Sequence, residues 1–350
     1  MKTVDTNLGA EPVSNDLIIE TQSLTKRYGS HVALADLNLK VRQGATGLLG
    51  PNGAGKSTFL KTILGLIQAT SGSGSVLGHD IRAEADRIRS RIGYMAEYEA
   101  MSGKMTAYDQ VRYSGELLGM NVDAAISRAH EALDYVGLGE QRYRKVETYS
   151  TGMKQAAKLA CALIHDPEMI IADEPTNGLD LASREFMLTT LDQVVKQGGR
   201  SVIMASHLMD DVERVCDRMV LLHGGRLVAQ GRIEDLKGID REVEVQIVGH
   251  LTGFVDALRA KGRSVRSMGR TVRVICDDEG VHDDILRSAV ETGTQIRRLR
   301  DHEASLEDLF IVIMERLGYG VKRTDDLGQR GLDARSVDVP STTEGGGSRD

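Results

Sequence analysis

The sequence predicts an α/β protein, a mainly parallel sheet covered by helices, followed by a small α+β domain. Three observations predict it. Short apolar runs (RIGYMA, EMIIAD, RSVIMAS, RMVLLHGG) alternate with stretches of helical periodicity up to about residue 230. A glycine-rich turn stands between an apolar strand and an amphipathic helix. Beyond residue 240 the pattern changes to short alternating strands and two helices in the order βαββαβ.

The elements follow in order. Residues 1–17 are polar and irregular and read as a flexible N-terminus. LIIETQSLTKRYG reads as a strand that turns at Gly29, ALADLNLKV as a half-buried strand, and ATGLLG as a fully buried one. Ser57 to Gln68 has helical spacing. Within the segment 18–235, residues of about 100–165 carry several helical periodicities and few strand signals, the mark of a helical subdomain. In the segment 240–316, EVEVQIVG, TGFVDALRAKG, a hairpin at Gly269, DDILRSAVETG and TQIRRLR spell a ferredoxin-like split motif before SLEDLFIVIMERL. Residues 317–350 have little apolar content and read as a disordered tail.

Composition narrows the function classes. The 350 residues suffice for one large and one small domain. Apolar residues at 41% and charged residues at 27% match a globular protein, and no run approaches the roughly 20 apolar residues of a bilayer span. With no apolar core of a signal peptide either, a cytoplasmic location is expected. The net charge of −7 and the absence of Trp argue against nucleic acid as a partner, since backbone binding needs Lys and Arg to neutralise phosphates. Cys161, Cys216 and Cys276 are far apart and lack CxxC spacing, so reduced, buried thiols are expected.

GPNGAGKST comprises Gly50, Pro51, Asn52, Gly53, Ala54, Gly55, Lys56, Ser57 and Thr58, and fits G-x-x-x-x-G-K-[ST] in full. Glycines let the backbone wrap an anion, and amides at a helix start point at phosphate oxygens. Lys56 can reach the β and γ phosphates, and the Ser57 hydroxyl can ligate Mg²⁺. This is the signature of a nucleoside triphosphate site. In EMIIADEP, a buried strand ends in Asp173 and Glu174. Asp173 is placed to hold Mg²⁺, and Glu174 to polarise the attacking water.

With YSTGMKQ some twenty residues upstream of that acidic pair, the chain resembles the ATP-binding subunits of ABC transporters. The resemblance spans roughly residues 18–232. It implies that Tyr28 stacks on adenine, that Ser150 and Gly152 belong to the signature that closes on ATP held by a second chain, that Asp180 lies in the D-loop, and that His207 is the switch histidine near the γ phosphate. It therefore implies ATP and Mg²⁺ as cofactors and ATP hydrolysis by Glu174, Lys56 and His207. The partners implied are a second ATPase chain, identical or related, and a separate multispanning membrane permease. The small C-terminal domain resembles the accessory region of ABC-2-type exporters. The contrasting class is a soluble ABC-type ATPase acting on ribosomes or DNA; its paired cassettes or long coiled coil are missing here.

The sequence departs from the family pattern in places. Thr151 and Met153 replace a glycine and the glutamine of the signature, and alanines follow Gln155 where many relatives carry an arginine, so a helix-surface contact is expected to be absent. Glu97 occupies the position of the Q-loop glutamine. Three readings follow for it: a ligand of the metal beside Ser57 and Asp173, a group turned toward a basic residue of the membrane partner, or a mark of a damaged site.

Overall fold

The structure, a computed structural model, describes residues 16–98, 101–237, 242–275, 280–302 and 305–316. The N-terminal stretch to residue 15, Cys276 and the tail from 317 lie outside the described residues. The chain divides into two compact units, residues 1–306 and 307–350.

It opens with a hairpin of β1 (Leu17–Tyr28) and β2 (His31–Arg42), antiparallel with Tyr28 opposite His31. β3 (Ala45–Leu49) is buried at every residue, as its unbroken apolar run predicts for a strand covered on both faces. α1 (Lys56–Ile63) follows the glycine-rich turn. Helical spacing continues to Gln68, but the chain turns at Gly65 (φ 66°) and the helix stops short of it. β4 (Ser71–Val76) and β5 (His79–Asp80) complete an antiparallel sheet of order β2-β1-β4-β5. The segment SGSGSV has almost no side chains that favour a strand. It is extended because β1 offers an edge, with Ile19 opposite Val76.

α2 (Ala85–Ser90) leads into β6 (Ile92–Met95). Three helices come next: α3 (Ala107–Leu117), α4 (Val122–Tyr135) and α5 (Thr151–Leu163). Each is capped by a side-chain oxygen that accepts a backbone amide, from Thr106 to Asp109, Asn121 to Ala124 and Ser150 to Met153. Such caps satisfy amides that the helix cannot pair itself. The chain then alternates: β7 (Met169–Asp173), α6 (Leu181–Gly198), β8 (Ser201–Ala205), α7 (Met209–Val215), β9 (Arg218–His223), β10 (Arg226–Arg232) and α8 (Ile233–Lys237).

The second sheet has the order β10-β9-β3-β8-β7-β6. β9, β3, β8, β7 and β6 run parallel and only β10 is antiparallel. Parallel strands bring their C-terminal ends to one edge, which is where open α/β sheets bind ligands. That edge collects the turns after β3, β6, β7 and β8. Phe59, Leu60 and Ile63 of α1 pack with Leu48, Ile171, Ile203 and Val220 of the sheet in one buried cluster. Each such side chain contributes about 1.5–3 kcal/mol on burial, so the helix that follows the glycine-rich turn is anchored by its own core face.

β11 (Glu242–Val248), α9 (Leu251–Ala260), β12 (Val265–Met268), β13 (Thr271–Ile275), α10 (Val281–Thr292) and β14 (Gln295–His302) form a third, antiparallel sheet of order β12-β13-β11-β14. Val243, Val245, Val272 and Val274 face Phe254, Leu258 and Ile285 of its two helices. The alternate residues carry charge: Glu244 pairs with Arg273 and with Arg300. The last described helix is α11 (Leu306–Arg316). Among the described residues no helix is long and apolar enough to cross a membrane.

β6 and α5 meet at Gly93, where an added Cβ would lie 2.1 Å from the carbonyl oxygen of Ala162. Gly93→Ala is expected to lower the unfolding free energy by about 1–3 kcal/mol, the range of overpacked cores, as measured by urea titration. Gly253→Ala in α9, with no atom nearer than 3.9 Å, is expected to be neutral or to stabilise by up to about 1 kcal/mol.

Candidate functional site

The loop between β3 and α1 wraps tightly. Gly50 (φ 148°) and Gly55 (φ 104°) hold backbone angles that side chains rarely adopt, and a Cβ would lie 2.3 Å from Leu222 O at Gly50 and 2.7 Å from Ala33 O at Gly55. Only glycine fits either place. Gly55 also starts α1 without a side-chain cap, which leaves the first amides of the helix to a ligand. Lys56 is buried, and its Nζ donates to Gly50 O at 2.6 Å across the loop.

A pocket of about 210 Å³ opens over this loop, lined by residues 51–58 together with Glu97, Asp173 and Glu174. The structure thus brings together, from three different strand ends, residues that the sequence places far apart. Glu174 Oε1 is 3.9 Å from Lys56 Nζ, and Glu174 Oε2 is 2.8 Å from Nδ1 of His207, which follows β8. Glu174 is a non-glycine residue in the left-handed region (φ 52°), held there by its amide bonding Ala205 O at 2.8 Å. Conformations of this kind cost about 1–3 kcal/mol and cluster at functional sites.

The electrostatics of the pocket are lopsided. Burial pushes the Asp173 carboxyl up to about 6, and the neighbouring Glu97 and Glu174 carboxylates add to the rise, against a hydrogen bond from Ser57 and the charge of Lys56. Burial holds Lys56 below its ordinary value of 10.5, while Glu174, Asp173 and Glu97 pull it back. Partial burial beside Asp173 pushes the phenol of Tyr94 up to about 12.

One oxygen of Asp173, Oδ1, is buried without a hydrogen-bond partner in the protein. A buried orphan acceptor beside a serine hydroxyl and further carboxylates is the donor set of a hard cation such as Mg²⁺. Among the described residues no three His, Cys, Asp or Glu side chains close around one point. Mg²⁺ commonly takes one or two carboxylates and completes its shell with phosphate oxygens and water.

Other residues singled out in the sequence lie away from the pocket. Tyr28 is half exposed at the end of β1, with Lys26 Nζ 4.9 Å from its ring centre, and its hairpin partner His31 lines the pocket in its place. Ser150 and Gly152 open α5, with Ser150 exposed, and the exposed Asp180 caps α6 by accepting from Ser183 N at 2.8 Å. Gly152 packs so closely on Ser183 that a Cβ would come within 2.5 Å of its hydroxyl. The starts of α5 and α6 therefore form one surface.

Sequence reasoning missed two supports. The buried Asp211 of α7 accepts from Thr176, three residues after Asp173, and from Arg184 of α6 at 2.6 Å, which fixes the turn that carries Glu174. Lys158 of α5 reaches the end of β6. Neither pairing has a local signal, because the partners lie tens of residues apart. The two described cysteines, Cys161 and Cys216, are free; burial raises both thiols, Cys161 to about 11.

Fold and site together define an α/β P-loop nucleoside triphosphatase. The model of the family described as ABC transporter matches residues 34–177. The linearmycin resistance ATP-binding protein LnrL of Bacillus subtilis (strain 168) is 32% identical over 308 residues, 85% of this chain and 99% of that protein. The bacitracin transport ATP-binding protein BcrA of Bacillus licheniformis is 32% identical over 302 residues, 85% of this chain and 97% of that protein. A solved dimer of a bacterial ABC transporter cassette matches with a TM-score of 0.57 and 25% identity, covering 62% of this chain and 99% of that one. This chain belongs to the ABC transporter family and is one of its ATP-binding, ATP-hydrolysing subunits.

Asp173 carries a prediction with a definite sign. Its folded value, about 6, exceeds the ordinary 3.8, so the folded chain holds this proton more tightly than the unfolded one. The carboxylate then subtracts stability as pH rises from about 4 to 6, and the loss stays constant above that. In EDTA, Asp173→Asn is expected to be more stable than wild type by on the order of 2 kcal/mol at pH 8. The difference should vanish near pH 4 in denaturant titrations across that range.

Proposed function

We propose that this chain is the motor of an exporter, acting at the cytoplasmic face of the membrane under a separate multispanning permease and working as a pair of chains, identical or related. The observation that carries the reading is the meeting of Lys56, Ser57, Asp173, Glu174 and His207 at one sheet edge while Ser150 and Asp180 stand exposed, with Gly152 half-buried beside Ser150, outside the pocket. A signature surface turned away from its own pocket serves the pocket of another chain. The dimeric cassette among the solved relatives supports this, and the names of the relatives concerned with antibiotic resistance and transport support export.

In this reading the loop amides and Lys56 bind the β and γ phosphates of ATP, with Lys56 exchanging Gly50 O for phosphate oxygen. Ser57 and Asp173 would hold Mg²⁺, with Glu97 beside them, and the ion would neutralise phosphate charge. Glu174 accepts a proton from the attacking water. Its Oε2 is held by His207 and its Oε1 faces Lys56, so the carboxylate is fixed before substrate arrives. Tyr28, at the exposed hairpin end, offers its ring to adenine, and the paired signature with Asp180 closes the site from the partner chain. The C-terminal domain of residues 240–316 is ferredoxin-like; the order β12-β13-β11-β14 and two helices over one face support that assignment.

Glu174→Gln is expected to keep ATP binding, slow hydrolysis by orders of magnitude and accumulate an ATP-bound dimer, read by steady-state kinetics and size-exclusion chromatography. Lys56→Ala should weaken nucleotide binding itself. Normal turnover in Glu174→Gln would remove Glu174 from its role.

Affinity-tagged chain, purified from detergent-solubilised membranes, is expected to bring a multispanning protein with it. Recovery only with ribosomes would overturn the transport reading.

A further inference from the structure

Lys158 of α5 is half-buried and holds the chain that leaves β6 for the nucleotide pocket. Its Nζ donates to the carbonyl oxygens of Ala96, at 3.2 Å, and Glu97, at 3.0 Å. The stretch it grips is the one that carries Glu97 into the pocket beside Asp173 and Glu174. On its other side Lys158 lines an apolar groove of about 280 Å³ with Tyr94, Met95 and Met101.

Three carboxylates share the pocket with the single ammonium of Lys56, and a cation bonded to the backbone of one of them offsets that imbalance. Lys158 also lies eight positions beyond Ser150 in the same helix, about 12 Å along a rigid rod at 1.5 Å per residue. Two hydrogen bonds thus join the helix that begins at Ser150 to the backbone of Ala96 and Glu97.

Resting on the nucleotide-site reading above, we propose that Lys158 is a positioning residue for ATP hydrolysis. It fixes the Ala96–Glu97 backbone, compensates the charge that Glu97 brings to the pocket, and couples that acid to the signature helix. An acid in place of the Q-loop glutamine is tolerated because a lysine stands behind it.

The test is a double-mutant cycle read by equilibrium binding of a fluorescent ATP analogue to the full chain in EDTA, where no metal screens the acids. Lys158→Met is expected to weaken binding about three- to tenfold, in the range of coupling between contacting residues. In the Glu97→Gln background the same substitution should change binding less than about twofold. Lys158→Arg, which keeps the charge, should stay within about twofold of wild type. In ATPase assays, Lys158→Met should lower the rate at saturating ATP and Mg²⁺ by about three- to tenfold, and Lys158→Arg should restore it.

Should Lys158→Met fail to fold, Lys158→Gln keeps a donor without the charge and is expected to behave the same way. An equal loss in both backgrounds, or no loss in either, overturns the proposal while leaving the nucleotide site intact. Failure of the wild type itself to bind overturns both.

Discussion

The arrangement depends on an imbalance of buried charge. Lys56, Asp173 and Glu174 are all withdrawn from water at one sheet edge, with Glu97 beside them. Desolvation acts on both signs: it raises the Asp173 carboxyl and lowers the Lys56 ammonium. What prevents collapse into a closed ion pair is geometry. Lys56 is tied to Gly50 O, Glu174 is held between Ala205 O and His207, and Asp173 ends a fully buried strand. The scaffold holds these groups apart in positions that a polyanion and a divalent cation would complete.

Each restraint comes from the core. The packing of Phe59, Leu60 and Ile63 fixes α1 and hence the loop before it. The Thr176–Asp211–Arg184 network fixes the turn after β7, where the strained backbone of Glu174 would otherwise relax. The chemistry of the site and the stability of the fold oppose each other here, as is usual where polar groups are preorganised.

Much of this was legible in the amino-acid order. The parallel strands announced themselves as unbroken apolar runs, and the glycine motif located the loop between β3 and α1. β4 and β5 were not legible, since SGSGSV has no strand propensity and is extended only by pairing with β1. Helical spacing overran the true end of α1 because Gly65 outweighs periodicity. The phosphate loop, the acidic pair, Glu97 and His207 came together in space, whereas Tyr28, Ser150, Gly152 and Asp180 lie away from the pocket, and the supports of the site did not show. The contacts of Lys158 with residues 61 and 62 positions away, and of Thr176 with Asp211, are facts of tertiary packing alone. His31 in the pocket wall carries no motif of its own and reaches the site only as the partner of Tyr28 across the hairpin.

The exposed faces of Ser150 and Asp180 have a kinetic meaning. In the reading proposed here, in which the signature serves the pocket of a second chain, one chain alone would be half of a catalyst, and turnover would depend on how often two chains meet. For free chains that is a question of copy number. For two chains held under one permease it becomes a question of tether geometry, with effective concentrations in the millimolar range. In the reading proposed here, the membrane partner is then more than the conduit: by crowding two half-sites together it sets the clock of the ATPase, and idle chains consume little fuel.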